Sequence, residues 1–143
     1  MAGDYTGTVV RIDLVYEGGL RTRAVHGPSG VALATDAPKD NEGKGESFSP
    51  TDLLATALGS CMMTIMGIAA RRRGVALEGA KVSLEKHMVA DPQRRVGRLD
   101  VAFDMPAGVG AEDRSVLERA ALACPVHKSL SPRIEVAVSF RWA

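Results

Sequence analysis

The chain is poor in aromatic residues, with one Trp, two Tyr and three Phe among 143 positions, and it has only three histidines and two cysteines. Its net charge is +1. Each shortage excludes something. A charge this close to zero leaves no field to gather nucleic acid, an acidic substrate or a membrane surface. Two cysteines without a CxxC spacing, and histidines scattered at His26, His87 and His127, make no metal-ligand pattern, so neither metal nor cofactor is expected. No apolar run is read as approaching the roughly 18–20 residues of a membrane span. Residues 1–5 lack the basic-then-apolar start of a signal peptide. A cytoplasmic protein follows as the expectation. In a reducing compartment two cysteines argue for catalytic or metal chemistry rather than a structural bridge. The length fits one domain over residues 1–143.

What is present is a clear alternation of patterns. Residues 6–16 alternate in part, with Val10, Ile12 and Leu14 against Arg11 and Asp13, and the phase slips at Val9 and Val15. Residues 20–26 and 31–35 read as further strands, separated by Glu17-Gly18-Gly19 and Gly27-Pro28-Ser29-Gly30. A polar loop covers residues 36–48. Ser49 then suits an N-cap, Pro50 the first helical position and Asp52 a short capping-box carboxylate, opening a helix that stops at Gly74. Leu54, Leu58, Cys61, Ile65 and Ile68 form its apolar stripe. Ala55, Ala57, Gly59 and Ser60 are small enough for another element to approach closely just before the cysteine. Residues 80–89 and 96–105 read as a hairpin, 111–123 as a second amphipathic helix, and 133–142 as a last strand. The order βββ-α-ββ-α-β gives an α+β fold with antiparallel sheet. The first helix is apolar over most of its surface, and a homodimer that sandwiches it between two sheets would cover it.

The two cysteines occupy different settings. Cys61 is mid-helix, beyond reach of the helix dipole, and a thiol there ionises only with help from a nearby cation. Arg21 and Arg23, two apart on the second strand and so on one face, are candidates, and surface charge is the alternative for each. Cys124 precedes Pro125, which suits the first position of a short helix, making Cys124 its N-cap with its sulfur toward free N–H groups that favour the anion. A small buried hydrophobe is the alternative for both cysteines. Arg71-Arg72-Arg73 fits a helix C-terminus better than a nucleic-acid patch. His127 reads as a polar residue of the short helix rather than a base, and Met62, Met63 and Met66 as core filling rather than a pocket lining. His26 and His87 are given no role.

Ser49-Pro50-x-x-Leu53-Leu54-x-x-Ala57-Leu58-Gly59-Ser60-Cys61, followed by Cys124-Pro125-Val126-His127-Lys128-Ser129-Leu130, resembles the superfamily of osmotically inducible (OsmC) and organic hydroperoxide resistance (Ohr) proteins, on its OsmC-like branch. The resemblance implies an intertwined α+β homodimer. It also implies thiol-dependent reduction of organic hydroperoxides in oxidative stress defence, with no cofactor. Cys61 would become a sulfenic acid and Cys124 would resolve it as a disulfide. A dithiol, such as a dihydrolipoyl group, would reduce that disulfide. Arg21 would stabilise the thiolate and polarise the peroxide. One departure stands out. The better-known peroxidases carry a glutamate ten positions before the first cysteine, paired with the arginine. Here that position is Thr51, with Asp52 and Glu46 the nearest carboxylates and Glu17 another candidate. The departure admits a second function, a non-catalytic dimer that binds a small apolar or thiol-reactive ligand.

Overall fold

The computed structural model describes Gly3 and residues 5–143. The chain divides into two compact units, residues 1–50 and 51–143.

The first unit is an antiparallel meander of β1 (Ile12–Gly18), β2 (Arg21–His26) and β3 (Ala32–Asp36), in that spatial order, followed by a short 3-10 turn at Lys39–Asn41. The first strand starts at Ile12, not residue 6. Its partner β2 ends at His26 and turns through residues 27–30, so pairing runs out at the bond from Gly27 N–H to the Arg11 carbonyl. The register places Leu14 beside Ala24 and Ala24 beside Leu33 in one row across the sheet.

The second unit contains α1 (Pro50–Arg73), β4 (Lys81–Val89), β5 (Arg95–Met105), α2 (Ala111–Leu122), α3 (Pro125–Ser129) and β6 (Glu135–Trp142). The sheet order is β4-β5-β6. β4 and β5 form the expected hairpin, but β5 and β6 are parallel, which corrects the antiparallel expectation. Two parallel neighbours need a crossover of a dozen or more residues, and α2 and α3 supply it. Apolar rows cross the sheet, Leu84–Val101–Val138 and Val82–Phe103–Phe140, with the two Phe rings stacked at 4.9 Å.

Helix α1 ends as expected, with Gly74 at a φ of +67° where a side chain is disfavoured. Its core-facing stripe is Ala55, Leu58, Met62, Met66 and Ala70, and Leu58, Met62 and Met66 are fully buried. The expected stripe through Cys61, Ile65 and Ile68 is thus one residue out of phase, and Ile68 is exposed. By length and composition α1 is apolar enough to cross a membrane, with a mean hydropathy of 1.8 over its best window, which corrects the reading that no run comes near that length. That apolarity is used here in the core, where Leu58, Met62 and Met66 join Leu99, Val101 and Phe103 of β5. Helix α2 contributes Leu117 and Ala121 to the same core. It is anchored to β6 by Trp142, whose indole N–H donates to Glu118 at 2.9 Å and whose ring lies 5.4 Å from the Arg114 guanidinium.

Candidate active site

Cys61 and Cys124 meet. The two side chains lie close enough to influence one another, although Cys61 sits within α1 and Cys124 at the start of α3. Arg73, at the end of α1, is paired with Asp113 at the start of α2.

Their surroundings differ. Cys61 is half-buried, packed against the edge of the core, whereas Cys124 is sealed from solvent. Cys124 is the N-cap of α3 as expected: its sulfur accepts a hydrogen bond from the His127 backbone N–H at 3.3 Å. The expected consequence does not hold. Burial pushes the Cys124 thiol upward from its ordinary range and outweighs the pull of the His127 and Val126 amides, and the neighbouring Cys61 thiol pushes the same way. Of the two, Cys61 is the one partly open to solvent, while burial favours the protonated form of Cys124.

In the first unit, Arg21 is half-exposed and lies opposite Asp36 in the β2–β3 register. Its Nη2 donates to Glu46 Oε1 at 2.6 Å and to Asp36 Oδ2 at 3.4 Å. Asp36 is buried, and its Oδ2 also accepts from the Glu46 backbone N–H at 2.9 Å. Glu46 was among the carboxylates singled out in the sequence. Asp36 was not, although counting back from the turn at residues 27–30 sets Arg21 across from it. Glu17 is exposed, and so is Arg23.

The family model for OsmC-like proteins matches residues 43–139. The chain belongs to the OsmC-like family. A Psychrobacter arcticus protein, assigned as induced by osmotic stress and active in the detoxification response, is 42% identical, with a TM-score of 0.87 over 96% of this chain and 98% of that one. Organic hydroperoxide resistance proteins from Legionella pneumophila (18% identity, TM-score 0.72, 95% and 98% covered) and Elizabethkingia anophelis (15%, 0.76, 96% and 99%) share the fold. No curated protein matches the chain at a significant level.

At the position where OsmC-like peroxidases are expected to carry a glutamate, this chain puts Thr51 to another use. The largely buried Lys86 of β4 donates to Thr51 Oγ1 at 2.8 Å and to Asp52 Oδ1 at 2.7 Å. The remaining residues follow the plainer expectations. The His127 ring is turned to the Leu122 carbonyl through Nδ1, so its part at Cys124 is played by its backbone N–H. Met62 and Met66 fill the core. Arg73 serves the α1–α2 pin. His26 pairs with Ser29. His87 lies 2.8 Å from Asp100 and near Glu85, an exposed group close enough to share an ion; Arg98, at 2.7 Å from Asp100, already supplies it with a cation.

Proposed function

We propose that the protein is a thiol-dependent peroxidase that reduces organic hydroperoxides, a role in oxidative stress defence. One observation supports the reading: a partly exposed thiol, Cys61, lies beside a sealed thiol, Cys124. The Cys61 thiolate attacks the peroxide oxygen, the O–O bond breaks, and the alkoxide leaves as the alcohol by taking up from solvent the proton that the thiol lost on ionising. The product is Cys61 sulfenic acid. Cys124 then attacks the Cys61 sulfur, water leaves, and a disulfide remains. An external dithiol, of which a dihydrolipoyl group is an example, returns two electrons and restores both thiols. Arg21 is the guanidinium assigned to the thiolate and the peroxide.

The reading extends to one domain over residues 1–143, acting as a homodimer in the cytoplasm. The exposed apolar side chains Ile12, Leu14, Tyr16 and Leu33 of the meander support a second copy as their cover, since contiguous apolar surface of this kind favours association. Two free thiols fit a reducing compartment.

The engagement of Thr51 and Asp52 by Lys86 favours a second reading, an OsmC-like dimer that binds a small apolar or thiol-reactive ligand without turnover. Reduced protein mixed with cumene hydroperoxide and dihydrolipoamide separates the two. Turnover accompanied by a Cys61–Cys124 disulfide is expected. No peroxide loss above the buffer rate ends the peroxidase reading, and ligand binding retained by Cys61→Ser selects the second.

A further inference from the structure

We propose that Glu85, His87 and Asp100, on the outer face of the second unit's sheet, form a site for one divalent transition-metal ion of the zinc class. The site is separate from the thiol pair and does not depend on the peroxidase reading.

The strand ladder sets the ligands. Glu85 and His87 are two apart on β4 and so share a face, and Asp100 of β5 stands directly opposite Glu85. Leu99 and Val101, on either side of Asp100, are buried in the core, so Asp100 turns the other way, outward. One ligand atom from each of the three residues lies within 4.8 Å of the others. His87 Nε2 is 2.8 Å from Asp100 Oδ2 and 3.9 Å from Glu85 Oε2. Bonds of about 2.0–2.2 Å to a tetrahedral ion put neighbouring ligand atoms about 3.3 Å apart. The two distances bracket that value, so small side-chain rotations seat the ion.

Arg98 prepares one ligand and leaves charge for the ion. Its Nε donates to Asp100 Oδ1 at 2.7 Å and its Nη1 to Glu135 Oε1 at 2.7 Å. Asp100 is thus held by one oxygen while the other faces His87, as a ligating carboxylate is oriented by an outer partner. One guanidinium shared between two carboxylates does not balance the group. Glu85, Asp100 and Glu135 carry three negative charges against the one of Arg98, and among the described residues Glu85 has no cation near it but His87. A divalent ion makes up the difference. The neighbours on this face, Ala102 along β5 and Ala137 across on β6, are small, so water has room at the positions the protein does not fill. An imidazole with two carboxylates suits zinc, cobalt or nickel, whereas magnesium and calcium take oxygen ligands. Spacing along the chain hides the set, because Asp100 joins the other two across the hairpin.

The test is titration of zinc chloride into the metal-stripped full chain, its thiols kept reduced by a phosphine, followed by calorimetry and by thermal unfolding. Wild type should bind zinc at this site, and its Tm should rise with zinc concentration, since an ion that binds only the folded chain stabilises it by mass action. His87→Gln should weaken that binding about tenfold or more and abolish the zinc-dependent rise in Tm. Asp100→Asn and Glu85→Gln should weaken it in the same direction. Cys61→Ser, which removes the accessible thiol as a rival ligand, should keep it. No zinc uptake by wild type overturns the proposal and leaves the three residues as a salt-bridge network in which His87 is only a donor. Uptake unchanged in His87→Gln overturns it as well, and uptake lost in Cys61→Ser assigns the ion to the thiols. Magnesium chloride at the same concentration should not displace zinc; equal competition would mean that the carboxylates act alone, against a site of the zinc class. Should Asp100→Asn not fold, for want of its pair with Arg98, the exposed His87→Gln decides.

Discussion

Cys61 is partly exposed while Cys124, the thiol beside it, is cut off from solvent. In a two-thiol cycle this asymmetry assigns the order of events, because a peroxide must reach the sulfur it oxidises and the resolving sulfur need only reach its neighbour.

Cys124→Ser should therefore leave the first step and block the second. The expected outcome is a single-turnover rate of peroxide consumption within roughly threefold of wild type, with a sulfenic acid at Cys61 that dimedone traps and intact-mass measurement detects. Steady-state turnover should fall about tenfold or more. Cys61→Ser should lose peroxide consumption by about a hundredfold or more in both assays, since no second accessible thiol replaces it. The reverse pattern, with Cys124 carrying the dimedone adduct in wild-type protein, would exchange the two roles.

The buried Cys124 thiol also makes stability depend on pH. Burial, reinforced by the neighbouring Cys61 thiol, raises its pKa above the ordinary 9.0. The folded chain then holds this proton more tightly than the unfolded chain. Its contribution to stability is complete below the unfolded value and is lost as pH rises through the folded one. Denaturant melts of the reduced protein should give a stability that is flat with respect to this group from pH 7 to about 8.5 and declines above that. In Cys124→Ser, which has no thiol to ionise, the alkaline decline should be shallower. An equal decline in both proteins would assign it to other groups.

Much of this arrangement is legible in the residues themselves, and the exceptions have physical causes. Pro50 and Gly74 mark the ends of α1, and Pro125 marks Cys124 as an N-cap, because proline and glycine act on the backbone locally. The phase of α1 is not legible. Leu54, Cys61 and Ile65 are as apolar as Met62 and Met66, so no polar side tells the stripe which way to face. The direction of β6 is not legible either. The alternation from Ile134 to Trp142 reads the same for parallel and antiparallel pairing, and only the crossover through α2 decides it. The pairing of the two cysteines could be inferred only through family resemblance, since 63 positions separate them and only tertiary packing brings them together. Asp36 was within reach of counting along a hairpin, but nothing local distinguishes it from any other strand-end aspartate.

The small residues before Cys61 leave room for a close neighbour, and Gly59 shows what that neighbour is. Gly59 is buried, and a Cβ built there would overlap the Leu84 side chain of β4. Two effects compete in Gly59→Ala. Alanine is the better helix former by about 1 kcal/mol, while crowding a packed core costs typically about 1–3 kcal/mol. Overlap with a leucine methyl sits toward the lower end, because that group can turn aside. A net loss of about 1 kcal/mol is expected in denaturant unfolding. Shortening the neighbour should reverse the sign. In a Leu84→Ala background the overlap is gone and only the helix preference remains, so Gly59→Ala should there stabilise by up to about 1 kcal/mol. If the substitution stabilises the wild-type background as well, the approach of β4 to α1 is looser than the contact implies, and Gly59 is dispensable to the seating of Cys61.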